Sequence, residues 1–290
     1  MSALLLRLKQ SATRKRKPLD IALSMMVWLS AAFTLLILGF LLLHVLVNGI
    51  PHLLRPGLFS TQWTTQNQSM FPAIINTVIF VFFSLMVAVP LGVFTAIYLV
   101  EYANRGNKLV GIVRMMAETL AGIPSIVYGL FGFMMFRNFM GWGRSLLAGG
   151  FTLAIMILPV IIRTTEESLK AVPDNYREGS FGLGAGRLRT VFRIVLPSAI
   201  PGIVAGVILA VGRVVGETAA LIFTAGTMPH VIDSPTASGR TLSLHIYSNI
   251  MEATNDDVAY ATAVVLLLLV IGINALSYGL AKISTKGRRK

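Results

Sequence analysis

Long apolar runs with few charged residues are the feature that most constrains how this chain can fold. Six such runs are present: 21–47, 72–100, 112–136, 145–162, 197–226 and 258–281. Only the third and the fifth contain any Asp, Glu, Lys or Arg. A helix needs about 20 mainly apolar residues to cross a bilayer core, and backbone polar groups in lipid must be satisfied within the segment. The sequence therefore predicts an all-α integral membrane protein with six transmembrane helices.

The composition excludes several other classes of protein. Of the 290 residues, 55% are apolar and 13% are charged, whereas about a quarter are charged in a typical soluble domain. The chain contains no cysteine, so neither a disulfide framework nor a thiolate metal site can form. Its four histidines lie far apart in the sequence. A soluble enzyme is excluded, and we expect no metal site and no cofactor.

The placement of basic residues predicts the orientation in the membrane. Twenty of the 25 Lys and Arg residues fall in segments that the six spans would place on one side: the N-terminus, 101–114, 163–196 and the tail from Lys282. By the positive-inside rule this side is the cytoplasm, so both termini are expected there. Membrane topology thus accounts for the net charge of +13. The expected partner is the lipid bilayer, and no nucleic-acid partner is expected.

Two of the predicted spans contain ionisable residues, which are costly to place in lipid unless they face protein or water. Arg213 lies near the centre of the fifth run, and Glu217 follows four residues later, which predicts one helix face for both. A guanidinium stays charged and its planar donors fit an oxyanion, so a site on an anion path is one interpretation. A structural ion pair is the other. In the third run, Arg114 is expected at the membrane interface, and Glu118 either faces the path or pairs with Arg114 or another helix.

The segment 163–196 has the composition of a surface helix followed by a turn. Asp174 suits a helix N-terminus, Tyr176 and Phe181 add apolar contacts, and Gly182 and Gly184 stop the helix. This segment predicts either a docking element for another protein or a helix lying in the lipid interface. The chain has no phosphate-binding G-x-x-x-x-G-K-[ST] loop, so any ATP-driven activity requires a separate subunit.

Several motifs resemble a known family. Glu178, Gly184, Ile194, Leu196 and Pro197 have the spacing of the EAA loop of bacterial ABC importer permeases, although Gly179-Ser180 replaces the two usual alanines. The segments 122–132, 162–166, 213–219 and 245–247 further resemble the PstA-type permeases of phosphate importers. This resemblance covers nearly the whole chain beyond its basic N-terminus.

The resemblance implies a type I ABC importer permease fold in the bacterial inner membrane and transport of inorganic phosphate, without enzymatic activity in this chain. The implied partners are a homologous PstC-type permease, two PstB-type ATPase subunits and an external PstS-type phosphate-binding protein. The expected regions are a basic N-terminal segment, a first transmembrane helix, a permease core containing the EAA loop 173–197, and a basic tail: 1–20, 21–47, 72–282 and 283–290.

The resemblance also assigns candidate site residues. It places Arg163, Arg213 and Glu217 on the phosphate path, and we add Glu118 from its position in the third run. ATPase docking is expected at Tyr176, Glu178, Phe181 and Gly184. Two alternatives stay open at this stage: a permease for another oxyanion such as molybdate, sulfate or a phosphonate, and a polytopic membrane enzyme. The adjacent Glu166 and Glu167 lie just beyond the end of the fourth run, and the sequence offers them no evident partner.

Overall fold

A computed structural model describes residues 18–104, 106, 108–252 and 255–286. Most of the basic segment expected at 1–20 and half of the tail expected at 283–290 lie outside the described residues. Those that are described form helices, turns and loops without a β-strand, which confirms the all-α prediction. The chain divides into two compact units, residues 1–48 and 49–290.

The first unit is the apolar helix α1, Pro18–Gly49, which continues by one residue into the second unit. Two of its hydroxyl groups are satisfied within the helix, since Ser30 donates to the Met26 carbonyl and Thr34 to the Ser30 carbonyl. Such internal pairing of polar groups suits a helix to a lipid environment. A stretch long and apolar enough to cross a membrane extends over Ala22–Leu54.

The second unit is a helical bundle. Its helices, in chain order, are α2 Phe71–Ile97, α3 Lys108–Ala121, α4 Ser125–Gly132, α5 Leu146–Lys170, α6 Asp174–Gly182, α7 Arg187–Thr190, α8 Leu196–Val215, α9 Ala219–Thr224, α10 Leu242–Met251 and α11 Asp256–Lys286. Wider π-helical turns extend α2 to Tyr102, α4 to Phe139 and α7 to Val195.

Helix α5 is the centre of this bundle and packs against both α2 and α8. The core between them contains Phe80, Leu153 and Ile157, none more than 1% exposed. Small residues bring α8 close to α5, because a side chain on Gly202 or Gly206 would collide with Ser168 or Thr164. Close approach through small residues is how helices associate in lipid, where the hydrophobic effect contributes little.

The structure corrects the prediction of two continuous spans. The third run is broken into α3 and α4, which meet at 104°, because Pro124 lacks a backbone N–H and disfavours helical geometry in the residue before it. The fifth run ends as a helix at Val215, and α9 begins only at Ala219. Among the described residues, five helices are long and apolar enough to cross a membrane, and the bent α3–α4 pair makes a sixth span if counted as one.

Candidate functional site

The break after α8 separates the two charges that the sequence predicted to share a helix face. Arg213 lies in the last turn of α8, whereas Glu217 lies beyond the helix end. The Glu217 side chain Oε1 accepts a hydrogen bond from the Ala220 amide at 3.0 Å, and its backbone carbonyl accepts one from Ser243 Oγ at 2.7 Å. The same-face prediction is therefore wrong, because Glu217 satisfies a free amide in the first turn of α9.

Arg213 carries a charge near the middle of the bundle. Gly206 of α8 lies against Thr164 of α5, and Arg213 follows seven residues later, about 10 Å further from the end of α5. Its side chain is half-buried, and its charge acts on the Tyr128 hydroxyl. Within the described residues Arg213 forms no ion pair. The structural pair with Glu217, one of the two interpretations of the sequence, is therefore not formed among those residues.

A second charged region lies between α3 and the C-terminal half of α5. It is a cavity of about 180 Å³ with three basic and three acidic side chains in its wall: Arg114, Arg163, Lys170, Glu118, Glu166 and Glu167. Of the predicted path residues, Glu118 and Arg163 thus lie at one cavity, and Glu118 acts electrostatically on Arg163. Arg213 and Glu217 do not line it. The four predicted path residues therefore fall into two groups. Glu118 and Arg163 lie at this cavity, and Arg213 and Glu217 lie on either side of the break after α8.

Ion pairs connect the helices around this cavity. Glu166 is 10% exposed and accepts from Arg114 at 2.7 Å and from Lys170 at 2.6 Å, and Arg163 pairs with Glu167 at 3.0 Å. The sequence indicated no partner for Glu166 or Glu167, whereas the structure supplies partners for both. The pair between Arg114 and Glu118, one of the alternatives considered for Glu118, is not formed among the described residues. The i,i+4 spacing of the pairs within α5 could have been recognised. The Arg114–Glu166 contact joins distant parts of the chain, and no local pattern indicates it.

Helix α6 presents the predicted docking residues on its surface. Tyr176 and Phe181 are 49% and 47% exposed, and Glu178 is also exposed. Gly184 has a φ of +81°, a conformation that glycine adopts without strain and that ends the helix. Tyr176 and Gly184 line a groove of about 600 Å³ beside α7. The helix predicted for this segment is confirmed, and its role in docking stays a prediction.

A partly buried arginine that sequence reasoning missed fixes α6 to the bundle. Arg177 Nη2 donates to Glu101 Oε1 at 2.7 Å and to the Leu169 carbonyl at 2.9 Å, and Nη1 donates to the Val172 carbonyl at 2.8 Å. Side chains of Arg177 and Glu101 are 15% and 8% exposed. The guanidinium therefore joins the C-terminal end of α5 to the end of the α2 segment. Because Glu101 lies 76 positions from Arg177 in the sequence, local spacing could not identify it as the partner of Arg177.

Comparison with known proteins places the chain in a family. Residues 88–290 match the family model described as the binding-protein-dependent transport system inner membrane component. The chain belongs to this family. The chain is thus a multi-pass membrane permease of the ABC importer class.

Individual relatives cover most of the permease. It is 38% identical over 218 residues to the probable ABC transporter permease protein YqgI of Bacillus subtilis (strain 168), covering 73% of this chain and 72% of that one. It is 31% identical over 280 residues to the phosphate transport system permease protein PstA of Yersinia pestis, covering 93% and 92%. These identities confirm the resemblance to PstA-type permeases.

The fold also matches a solved transporter. The crystal structure of a bacterial alginate ABC transporter, in complex with an alginate pentasaccharide-bound periplasmic protein, aligns with a TM-score of 0.67 at 14% identity, covering 91% of this permease and 96% of that chain. At this identity the likeness shows the fold alone, and it confirms the type I ABC importer permease fold.

Proposed function

We propose that this permease carries inorganic phosphate across the bacterial inner membrane and that Arg213 is a binding group on the path. The observation that carries the proposal is the half-buried Arg213 guanidinium, which forms no ion pair within the described residues at a depth near the middle of the bundle. A charge at such a depth is costly and marks a transport path by default. The PstA relatives support phosphate as the anion.

The two groups of path residues suit successive binding of one anion. Phosphate would first meet Arg213, and then Arg163 at the cavity beside Glu118. Because Arg163 is paired with Glu167 and is 68% exposed, its hold on an anion is weakened by competition and by water. Weak, repeated binding is what conduction requires, since an anion must also leave each site.

The proposed importer also includes an ATPase that docks on α6. The proposed partners are a PstC-type permease, two separate PstB-type ATPase subunits that bind around Tyr176, Glu178, Phe181 and Gly184, and an external PstS-type binding protein. The exposed aromatic side chains of α6 support an interface with another protein. Because Arg177 joins α6 to Glu101 and to the end of α5, a displacement of α6 would be transmitted to the spans.

Uptake into vesicles tests the role of Arg213. The importer is reconstituted with the wild-type chain, with Arg213→Glu, and with Arg144→Glu as a matched control on an exposed arginine. Arg213→Glu should abolish phosphate uptake and leave assembly intact, whereas Arg144→Glu should transport normally. Wild-type uptake by Arg213→Glu contradicts the proposal. Competition with molybdate, sulfate and a phosphonate identifies the substrate. If one of these anions is taken up in preference to phosphate, that anion and not phosphate is the substrate.

Co-purification tests the docking surface separately. Glu178→Lys should reduce recovery of the ATPase with the permease, while Asp233→Lys, an equal charge change on another exposed acid, should not. Equal recovery for both variants contradicts docking at α6.

Orientation and segment limits follow from the same proposal. We place both termini and α6 in the cytoplasm and retain the proposed limits 1–20, 21–47, 72–282 and 283–290. Because the chain has no cysteine, single cysteines at Glu178 and Asp233 can be labelled with a membrane-impermeant maleimide. In intact cells we expect labelling of position 233 and none of position 178. Labelling of position 178 would show that the permease has the opposite orientation.

A further inference from the structure

A buried arginine lies at the end of the bundle opposite α6. Arg240 precedes α10 and is 6% exposed. Its backbone is held on both sides, since its amide donates to the Met228 carbonyl at 3.0 Å and its carbonyl accepts from Asn76 Nδ2 at 3.2 Å. The fold therefore fixes the backbone that carries this side chain.

The Arg240 guanidinium lacks the partners that a buried charge normally has. It lies 5.2 Å from the centre of the Trp63 ring, and its Nη2 has no hydrogen-bond acceptor. Among the described residues it forms no ion pair, and the acid that acts on it electrostatically, Glu252, is exposed. An unpaired buried donor of this kind is costly, which points to an anionic ligand.

Neighbouring residues supply further unused polar atoms. The indole Nε1 of Trp63 is buried without an acceptor. His245 is 0% exposed and neither of its ring nitrogens has a hydrogen-bond partner, while the charge of Arg240 and the backbone of Gln68 act on its ring. Gln68 has a φ of +44°, a strained conformation for a residue other than glycine and one that concentrates at functional sites.

We propose that Arg240, Trp63 and His245 form an occluded oxyanion site, with phosphate as the ligand and the Trp63 ring as its cover. A guanidinium, an indole N–H and the N–H of a neutral imidazole are all donors suited to the oxygens of a tetrahedral anion. Trp63 is itself partly exposed and lies in an exposed loop, so its displacement opens the site.

The site is connected to the proposed path. Ser243, three residues after Arg240, donates to the Glu217 carbonyl at 2.7 Å, so the segment that carries Arg240 contacts the break after α8. An anion released from Arg240 would thus enter the bundle near Arg213. The choice of phosphate as ligand rests on the proposed function, whereas the existence of an anion site rests on the geometry alone.

Fluorine NMR of the full chain in lipid nanodiscs tests the site directly. The chain has three tryptophans, Trp28, Trp63 and Trp142, and labelling with 5-fluorotryptophan gives each a signal, which Trp63→Phe assigns. Titration with inorganic phosphate should shift the Trp63 signal saturably and leave the other two in place. Arg240→Gln should weaken this response at least tenfold, as expected for losing one charged hydrogen-bond donor. Arg240→Lys should retain a weaker response.

The controls separate this site from the transport proposal. Arg144→Gln, which removes the charge of an exposed arginine outside both proposed sites, should leave the Trp63 response unchanged, and unshifted Trp28 and Trp142 signals in Arg240→Gln show that this variant is folded. Absence of a Trp63 shift, or an equal shift in Arg240→Gln, overturns the site even where vesicles take up phosphate. A saturable shift that depends on Arg240, in a chain that fails to transport phosphate, supports the site and contradicts the transport proposal. A response to sulfate and not to phosphate overturns phosphate as the ligand.

Discussion

Two arginines of this permease lie mostly out of solvent, one partly buried and one buried, and they differ in their partners. Arg177, at the α6 end of the bundle, donates to a buried carboxylate and to two backbone carbonyls. Arg240, at the opposite end, stacks on Trp63 and leaves Nη2 without an acceptor. A buried charge with a full set of acceptors stabilises one arrangement of helices, whereas one without them is suited to bind a ligand. Burial alone therefore does not distinguish a structural arginine from a binding one.

The largest expected effect is the difference between removing each of these charges. Arg177→Met leaves Glu101 as an unpaired buried carboxylate and should lower stability by about 3–5 kcal/mol. Arg240→Met leaves no buried carboxylate behind and should stay within about 1 kcal/mol of wild type, the cation–π contact being the main loss. Thermal unfolding of both variants in the same detergent measures the difference. Asp174→Asn is the control, because Asp174 contacts Arg177 but is 80% exposed.

Equal losses of stability for the two methionine variants would contradict the distinction, since Arg240 would then be a structural residue like Arg177. A stable Arg177→Met variant would instead show that Glu101 finds another partner or is protonated.

Acid sensitivity is the next largest effect and arises at the Arg240 end. Burial, with the Arg240 charge as a second cause, lowers the pKa of His245 from 6.5 to about 3. The unfolded chain therefore takes up a proton below pH 6.5, but the folded chain does not, so stability present above pH 6.5 is lost as the pH falls. Between pH 7 and pH 5 the loss is about 2 kcal/mol.

His245→Asn should remove this part of the pH dependence, because the replacement does not titrate. Thermal unfolding of wild type and variant at both pH values gives the comparison. An unchanged slope in the variant would mean that the pKa of His245 is the same in the folded and the unfolded chain, which would weaken the case for a neutral donor beside Arg240.

A smaller effect is expected at Glu217, which lies between the two regions. Glu217→Ala removes the acceptor of the Ala220 amide and should cost about 1 kcal/mol, whereas Glu217→Gln keeps an oxygen there and should restore the stability. Phosphate uptake by the two variants then separates two roles. Uptake restored in Glu217→Gln assigns Glu217 to the end of α9, and uptake lost in a stable Glu217→Gln variant assigns its charge to the path.

Sequence patterns predicted the parts of this molecule that depend on local chemistry. The apolar runs predicted the spans, and Asp174 and Gly184 predicted the limits of α6 within two residues. The parts that depend on distant contacts were not predictable. The acceptors of Arg177 and the partner of Arg114 lie on other helices, and no periodicity encodes such pairs. The break at Gly216 also separated Arg213 from Glu217, which helical spacing had joined.

The smallest effect on stability is expected where the charges are exposed, and there it is most informative about transport. Arg163 and Glu167 are both more than 60% exposed, and such pairs contribute little to stability. Glu167→Gln should therefore leave the melting temperature unchanged. If Arg163 is a binding group on the path, removing its competing carboxylate should strengthen anion binding and lower the apparent KM for phosphate by severalfold. It should also slow release at saturating substrate. Unchanged uptake at all concentrations would remove Arg163 from the path and leave Arg213 as the arginine proposed to bind the anion within the bundle.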